Sequence, residues 1–226
     1  MPISFRTAVY RIKEAWHIAL GGEQGRLEAM AGAPGVWTEC QEFQIAFLRR
    51  MGLQPHHTLL DIGCGPLRGG IPVIRYLEPG NYTGIDIRPA VVAEAQRQIA
   101  KAGLQHKQPA VLVSASFGRD ELGDRQFDFI WCFQLLYHLE DEQVDQCFSQ
   151  VVRFMHRESV CLANVNTTEP PSHWKGFPFV QRPLEFYESL AARHGLRMRN
   201  LGQLRDWGYT RKVAGQFNHM LEFRKR

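Results

Sequence analysis

A glycine-rich turn and an acidic residue one strand–helix–strand unit later are the residues whose types and spacing point most clearly to chemistry. The run Leu59-Leu60-Asp61-Ile62 leads into the turn Gly63-Cys64-Gly65. Glycines at a strand-to-helix turn permit unusual dihedral angles and let the backbone approach a ligand closely. Asp86 stands near the end of the next strand-like run, where a carboxylate can accept hydrogen bonds from both hydroxyls of a ribose. Together the two features favour a ligand that carries a nucleoside.

Two departures from known patterns narrow the choice of nucleoside. Arg68 stands where the dinucleotide-binding fingerprint has its third glycine, which disfavours NAD or FAD and with them an oxidoreductase. The chain also lacks the G-x-x-x-x-G-K-S/T loop that binds triphosphates. A ligand with adenosine but without a pyrophosphate fits the residues better.

The elements that must position these residues alternate short β-branched runs with longer amphipathic runs, which is typical of an α/β fold. The predicted strands are Thr58–Ile62, Tyr82–Ile87, Ala110–Val113, Phe127–Phe133 and Ser159–Val165. The predicted helices between them are Gly69–Leu77, Pro89–Ala102 and Asp141–Met155. The first strands show no clean alternation of apolar and polar residues, which indicates central parallel strands covered on both faces.

The pattern changes towards the C-terminus. A helix over Pro183–His194 is predicted to stop at Gly195, a good C-terminal signal. Leu196–Leu204 and Gln216–Arg224 then follow as two strand-like runs with no helix between them. Two strands joined by a loop are more naturally antiparallel. We therefore predict an α/β fold whose sheet is mostly parallel, with helices on both faces and an antiparallel pair of strands at one end.

Two more helices are predicted before the first strand, at Phe5–Leu20 and Trp37–Met51. They are separated by Gly21-Gly22 and then by Gly32-Ala33-Pro34-Gly35, where glycine and proline allow a hinge or a loop. We expect a single domain over residues 1–226, with residues 1–52 as a helical cap and residues 53–226 as the Rossmann-like core. The cap would cover one sheet face, and its first helix could also move as a lid.

The composition sets the broad class of the protein. The 226 residues suit one domain, and the mild formal charge of +4 is scattered rather than gathered into a basic stripe, which disfavours nucleic acid as a partner. No membrane-spanning apolar run and no signal-peptide core are visible, so we expect a cytoplasmic location. The five cysteines form no C-x-x-C pair, so we interpret them as free thiols and predict no metal site.

The motif residues carry a family resemblance. Residues 61–65, then Asp86, then Phe127–Phe133 resemble in order and spacing the motifs of class I S-adenosylmethionine-dependent methyltransferases, over roughly residues 37–226. Leu67-Arg68-Gly69-Gly70, followed by Tyr76–Tyr82, is similar to a bacterial subgroup of mostly unassigned substrate. The resemblance implies a seven-stranded sheet with the last strand inserted antiparallel. It also implies S-adenosylmethionine as cofactor and S-adenosylhomocysteine as product.

Carried over residue by residue, the resemblance implies that the glycine turn and the first two strand ends hold most of the cofactor. Asp61, Gly63 and Gly65, with Cys64 between the two glycines, would hold the methionine moiety. Asp86 would bind the ribose.

The same resemblance assigns residues to the adenine and to the transferred methyl group. Ile87 would pack on the adenine, and Ser116 and Phe117 fall where the family closes the adenine pocket. This segment lacks the acid that many relatives place there, and the Ser116 hydroxyl or a backbone carbonyl could substitute. Phe133 and Gln134 would face the methyl group.

Methyl transfer is an in-line displacement for which the protein supplies mainly alignment, and it needs a general base only if the acceptor arrives protonated. His138 is the best candidate for that base; the alternative is that it orders its loop or caps the next helix. Tyr137 could contact substrate or only pack. His173 and Trp174 lie in an aromatic and proline-rich segment that could form a substrate wall or attach the loop to the core. Weaker candidates of the same kind are Trp207, Tyr209, Arg211 and His219.

The leading hypothesis from the sequence is methyl transfer to the oxygen or nitrogen of a small molecule, for example a specialised metabolite. No Asn/Asp-Pro-Pro-Tyr run follows the fourth strand, which disfavours DNA adenine or protein glutamine as the acceptor. The alternative is a S-adenosylmethionine-binding module without transfer activity that acts as a partner or regulator. The residues leave the acceptor atom and the oligomeric state open.

Overall fold

The computed structural model describes residues 22–31, 35–167, 172–174, 177–209 and 218–226, with only the backbone of residues 172–174 and 177. The helices in these ranges are α1 (Gly22–Ala31), α2 (Trp37–Arg50), α3 (Gly70–Tyr76), α4 (Pro89–Lys101), α5 (Asp141–Phe154) and α6 (Leu184–Arg193). The strands are β1 (Leu59–Ile62), β2 (Tyr82–Asp86), β3 (Ala110–Val113), β4 (Phe127–Cys132), β5 (Met155–Asn166), β6 (Ser172–Trp174), β7 (Phe177–Phe179), β8 (Leu196–Gln203) and β9 (Asn218–Lys225). The helix expected at Phe5–Leu20, and with it the lid hypothesis, lies outside the described residues.

Seven of these strands form one sheet in the order β3-β2-β1-β4-β5-β9-β8. Strands β1 to β5 run parallel to one another. Strand β9 is inserted between β5 and β8 and is antiparallel to both. The predicted Rossmann-like sheet with an antiparallel C-terminal strand is therefore confirmed. Strands β6 and β7 pair with each other in a separate hairpin.

Consecutive residues of the central strands supply two apolar layers on opposite faces of the sheet. Leu59 and Trp131 belong to the cluster that packs against α2, whereas their chain neighbours Leu60 and Ile130 belong to the cluster that packs against α5. All residues of β1 and β2 are buried, because helices cover both faces. This explains why the first strands show no alternation in the sequence.

Helix α1 is the main element that the sequence analysis did not predict, since it lies in what was expected to be a glycine-rich connection. Its polar side chains pair with α4: Lys101 lies 2.6 Å from Glu23, and Arg26 lies 3.4 Å from Glu94. These pairs are tertiary contacts, which is why the local glycines were a misleading guide. The strand predicted at Ser159–Val165 is also longer, because β5 begins at Met155 directly after α5 ends at Phe154.

Several global expectations can be compared with the described part of the chain. All five cysteines are free and buried. None of the described helices is long and apolar enough to cross a membrane. Within the same residues, no group of His, Cys, Asp and Glu side chains is arranged to hold a metal ion.

Candidate functional site

The glycine turn Gly63-Cys64-Gly65, after β1, places main-chain groups at the carboxyl edge of the sheet. Gly63 and Gly65 have φ angles of +77° and +57°, in the left-handed region that favours glycine. The N–H groups of Gly63 and Cys64 both donate to the carbonyl of Ile85, at 2.8 and 3.0 Å, and so tie the turn to β2. A Cβ on Gly84 would lie 3.0 Å from the Cys64 side chain, so β2 also needs a glycine beside the turn.

Asp86 ends β2 with a buried carboxylate that already has partners in this structure. The N–H of Gly65 donates to its Oδ2 at 3.2 Å, which joins the glycine turn directly to the acid. Arg88 donates from its backbone N–H and its Nε to Oδ1, both at 3.0 Å, and from Nη2 to Oδ2 at 3.1 Å. Arg88 also donates to the carbonyl of Met30 in α1, at 3.2 Å. The acid is thus held in a fixed orientation next to the turn.

A cavity of about 720 Å³ opens over these groups at the carboxyl ends of the strands. This volume is in the usual range for small-molecule sites. The residues from the sequence analysis that line it are Asp61, Gly63, Cys64, Gly65, Asp86, Ile87, Phe117, Phe133, Gln134, Tyr137, His138 and Tyr209. The side chains of His173 and Trp174 are outside the described part of the chain, as is Arg211.

Three candidate residues with described side chains do not line the cavity: Ser116, Trp207 and His219. The hydroxyl of Ser116 accepts a hydrogen bond from the N–H of Asp120 at 3.3 Å, and the cavity wall at this point is formed by Ser114 and Ala115. The hydroxyl of Ser114 already accepts a hydrogen bond from the N–H of Gly118, at 2.8 Å. The exposed Ile87 side chain remains available to a flat apolar group, being 55% exposed at the cavity wall.

Asp61 differs from Asp86 because it is buried with no cationic partner among the residues that the structure describes. Its Oδ2 accepts a hydrogen bond from the hydroxyl of Tyr82 at 2.7 Å. Burial raises the pKa of Asp61 to about 7, Tyr82 opposes the rise, and the charge of Asp86 adds to it. Asp61 therefore changes its charge near neutral pH, within the wall of the cavity.

Gln44 on α2 is a cavity residue that the sequence analysis missed. Its Oε1 accepts from the indole N–H of Trp131 at 2.9 Å, and its Nε2 donates to the carbonyl of Cys40 at 3.2 Å. A Cβ on Gly69 would come within 2.2 Å of that Oε1. The glycine that follows Arg68 is therefore needed to admit the amide of Gln44.

The loop after β4 presents Phe133 and Gln134 to the cavity. Phe133 stacks on Trp131 with ring centroids 5.1 Å apart. Gln134 has a φ of +56°, and its N–H donates to Oδ1 of Asn164 at 2.5 Å. A non-glycine residue held in the left-handed region stores local strain, and such residues cluster at binding sites.

His138 lies in the short turn Leu136–His138, which Arg182 holds in place by donating to the carbonyls of Leu136 and Leu139 at 3.2 and 2.6 Å. The Nδ1 of His138 lies 2.9 Å from the carbonyl of Pro178, so Nδ1 carries the proton in this contact. Burial lowers the pKa of His138, the Pro178 carbonyl opposes this, and Arg88 adds to the lowering. The imidazole at the cavity wall is therefore neutral near pH 7.

The cavity residues that the sequence analysis did not assign come from elsewhere in the chain. They are Met30, Val36, Gln44, Arg68, Arg88, Gln143, Gln146 and Asn218, among others. Arg88 could have been predicted from the sequence as a partner of Asp86, because it follows that residue by two positions. Gln44 and Asn218 have no such signal, because only the fold brings them to the motif.

Part of the chain is similar in sequence to known methyltransferases. Residues 59–158 match the family model described as a methyltransferase domain. A protein from Geobacillus sp. (strain WCH70) that carries the name of a methyltransferase is 30% identical over 139 residues, which are 59% of this chain and 52% of that protein. The chain thus spans about half the length of this curated relative.

Solved structures show the fold over more of the chain. Magnesium protoporphyrin IX methyltransferase from Synechocystis PCC 6803, solved with S-adenosylmethionine bound, is 17% identical, covers 96% of each chain and has a TM-score of 0.64. Mitomycin 7-O-methyltransferase is 21% identical, covers 93% of this chain and 60% of that chain, and has a TM-score of 0.63. Residues 59–158 are therefore similar to the methyltransferase domain, and the chain shares its Rossmann-like fold with these solved methyltransferases.

Proposed function

We propose that this protein binds S-adenosylmethionine in the cavity and transfers its methyl group to a small-molecule acceptor. The observation that carries the proposal is the hydrogen bond between the Gly65 N–H and Asp86, which joins a glycine turn to an acid in one wall. Solved relatives of the same fold support the acceptor class, since two are named for a porphyrin and for mitomycin.

The residues present fit an adenosine with a charged tail. Gly65 borders the cavity, and a Cβ there would meet nothing within 4 Å, so its backbone faces open space. Asp86 can accept from ribose hydroxyls in the positions that Arg88 now occupies. Ile87 offers an apolar surface for adenine, and Asp61 offers a buried carboxyl to the positively charged part of the ligand.

When bound, the cofactor supplies an activated methyl carbon, and the chain's own residues then align the acceptor and exclude water. Phe133 and Gln134, in the loop after β4, form one part of the cavity wall. Met30 of α1, Val36 just before α2 and Gln44 of α2 also contribute to the cavity wall.

The assignment of Asp86 is tested by titrating S-adenosylhomocysteine and S-adenosylmethionine into the wild type and Asp86→Ala by calorimetry. Loss of the ribose contacts should weaken binding by about 1–3 kcal/mol. Asp124→Ala, which removes an almost fully exposed carboxylate away from the cavity, is the matched control and should bind like the wild type. Equal affinity of Asp86→Ala and the wild type would refute the ribose assignment. Binding of NAD in place of S-adenosylmethionine would refute the proposed function.

Transfer itself is tested by incubating the protein with methyl-labelled cofactor and a panel of phenols, carboxylates and amines. Labelled product from at least one class supports the enzyme. Tight cofactor binding without any acceptor in the panel would favour the module that acts as a partner or regulator.

We further propose that His138 accepts the proton of an acceptor that arrives protonated, because its neutral imidazole lines the cavity. His138→Asn should lower turnover about 10²–10⁴-fold for such an acceptor and leave the affinity for S-adenosylhomocysteine unchanged. The pH profile should lose its acidic limb. Unchanged turnover would assign His138 to ordering the loop through Pro178.

A further inference from the structure

Arg68 is a buried cation in the cavity wall whose charge is not matched by a carboxylate. It is only 7% exposed and borders the cavity. Its Nη2 donates to the neutral Oε1 of Gln134 at 2.6 Å. Its Nε is buried and has no hydrogen-bond partner among the described residues. Within the described part of the chain, Arg68 also forms no ion pair.

Arg182 is a second buried arginine, and unlike Arg68 it is paired with a carboxylate of the chain itself. Arg182 is 3% exposed, and its Nε lies 2.7 Å from a carboxylate oxygen of Asp141. The other guanidinium nitrogens donate to the carbonyls of Leu136 and Leu139. Buried charges are normally paired in this way, because an isolated ion is costly to remove from water. Arg68 departs from that rule at a place where a ligand can enter.

The position of Arg68 separates it from the ribose end of the site. Gln134, its partner, follows β4 and is bonded to Asn164 on β5. Asp86 ends β2, on the far side of β1. Neighbouring strands lie about 4.8 Å apart, so roughly 10 Å separate the ends of β2 and β4. Arg68 therefore serves the part of a ligand that lies beyond the adenosine.

The groups around the Arg68 guanidinium are neutral and already ordered. Asn164 donates from Nδ2 to Oδ1 of Asn218 at 2.6 Å, so the amides beyond Gln134 satisfy one another. Burial raises the pKa of Tyr137, and the charge of Arg68 opposes that rise, which shows that this hydroxyl lies within the field of Arg68 but stays uncharged. A planar guanidinium in such surroundings suits a carboxylate, which it can bind with two parallel hydrogen bonds.

We propose that Arg68 binds a carboxylate in the half of the cavity away from Asp86. This inference rests on the proposed function, because two carboxylates can then reach Arg68. One is the amino-acid end of the cofactor, and the other belongs to a methyl acceptor that carries a carboxylate.

The test compares Arg68→Met with the wild type, using ligands that differ by a carboxylate. Calorimetry measures S-adenosylhomocysteine against 5′-methylthioadenosine, which keeps the nucleoside and sulfur but lacks the amino-acid end. Benzoate and its uncharged analogue benzamide are then titrated into protein saturated with S-adenosylhomocysteine. Arg75→Met is the matched control, because Arg75 is exposed on α3 and outside the cavity. Arg68→Lys keeps the charge without the planar fork.

Either of two results supports the proposal and identifies the source of the carboxylate. If it belongs to the cofactor, Arg68→Met weakens S-adenosylhomocysteine at least tenfold and leaves 5′-methylthioadenosine unchanged. If it belongs to the acceptor, both nucleosides keep their affinity and benzoate binding is lost, while benzamide is unaffected. Arg68→Lys should be intermediate in either case.

Equal weakening of both nucleosides, or no change in any ligand, would overturn the proposal. The thermal midpoint of ligand-free Arg68→Met should equal or exceed that of the wild type, because the substitution removes an unmatched buried charge. A much lower midpoint would indicate a structural role and would also overturn it. If the wild type binds neither nucleoside, the proposed function fails, and benzoate and benzamide titrated into the ligand-free wild type and Arg68→Met then decide the role of Arg68.

Discussion

Asp61 and Asp86 end two neighbouring parallel strands, and both are buried in the wall of the same cavity. Their partners give them different properties. Asp86 is held by the cationic Arg88 and by the N–H of Gly65, so its charge is matched before any ligand arrives. Asp61 has only the neutral hydroxyl of Tyr82, and burial raises its pKa to about 7. One carboxyl is therefore already paired with a cation, and the other is a carboxyl that a cationic ligand can ionise.

The raised pKa of Asp61 makes a prediction about stability and pH. The folded chain holds this proton more tightly than the unfolded chain, where the pKa is about 3.9. The contribution of Asp61 to the free energy of unfolding is therefore full below about pH 4 and is lost as the pH rises through about 7, by on the order of 4 kcal/mol. Urea unfolding of the wild type and Asp61→Asn at pH 5 and pH 8 measures this. Asp61→Asn should lose less stability between the two pH values than the wild type.

The exposed Asp124 provides the control for that comparison, since Asp124→Asn should show the same pH dependence as the wild type. A parallel pH dependence in the wild type and Asp61→Asn would contradict the raised pKa.

At the level of elements, the start of α3 shows why two glycines follow Arg68. A Cβ on Gly70 would come within 2.6 Å of the Tyr82 hydroxyl, the group that donates to Asp61. A Cβ on Gly69 would meet the amide of Gln44 on α2. The first turn of α3 is thus packed directly against the hydrogen bonds that support the cavity wall.

Gly69→Ala should destabilise the protein by about 1–3 kcal/mol, because the Gln44 amide must leave the indole N–H of Trp131 unpaired. The backbone is not the cause, since Gly69 has a φ of −80° that alanine adopts readily. Urea unfolding of a double-mutant cycle with Gln44→Ala measures the coupling. Gly69→Ala should lower the free energy of unfolding much less in the Gln44→Ala background, where the amide that the new Cβ would meet is absent. Equal costs in both backgrounds would show that the clash is relieved elsewhere.

The helices and strands also show which parts of the fold could be predicted from the sequence alone. The bounds of β3 were predicted correctly, and β1, β2 and β4 differ by one residue at an end, because short β-branched runs between glycines are local signals. Helix α1 was missed because its contacts with α4 are tertiary, and local patterns do not contain them. The motif residues at the turn and at Asp86 could be found for the same reason that the strands could: their spacing follows from one strand–helix–strand unit.

For the whole molecule, the cavity combines this local motif with residues that only the fold brings near it. Gln44 precedes the first strand and Asn218 begins the last one, yet both line the same cavity as the glycine turn. The insertion of β9 beside β5 places Asn218 next to Asn164, and this pairing extends the polar wall that begins at Arg68. The part of the site expected to bind the nucleoside was therefore visible in the sequence, whereas the part beyond it depended on topology.

The burial of all five cysteines has a practical consequence for measuring how the N-terminal segment responds to ligand. Cys40, Cys132, Cys147 and Cys161 have no exposed surface, and burial raises the pKa of Cys64, which borders the cavity, so one cysteine placed on the surface should react with a maleimide dye much faster than the native thiols. Gln24→Cys puts that label on an exposed position of α1, the helix that Arg88 connects to Asp86 through the Met30 carbonyl. Fluorescence from this position then reports, in real time and without mutating the cavity, whether α1 moves when S-adenosylhomocysteine is added.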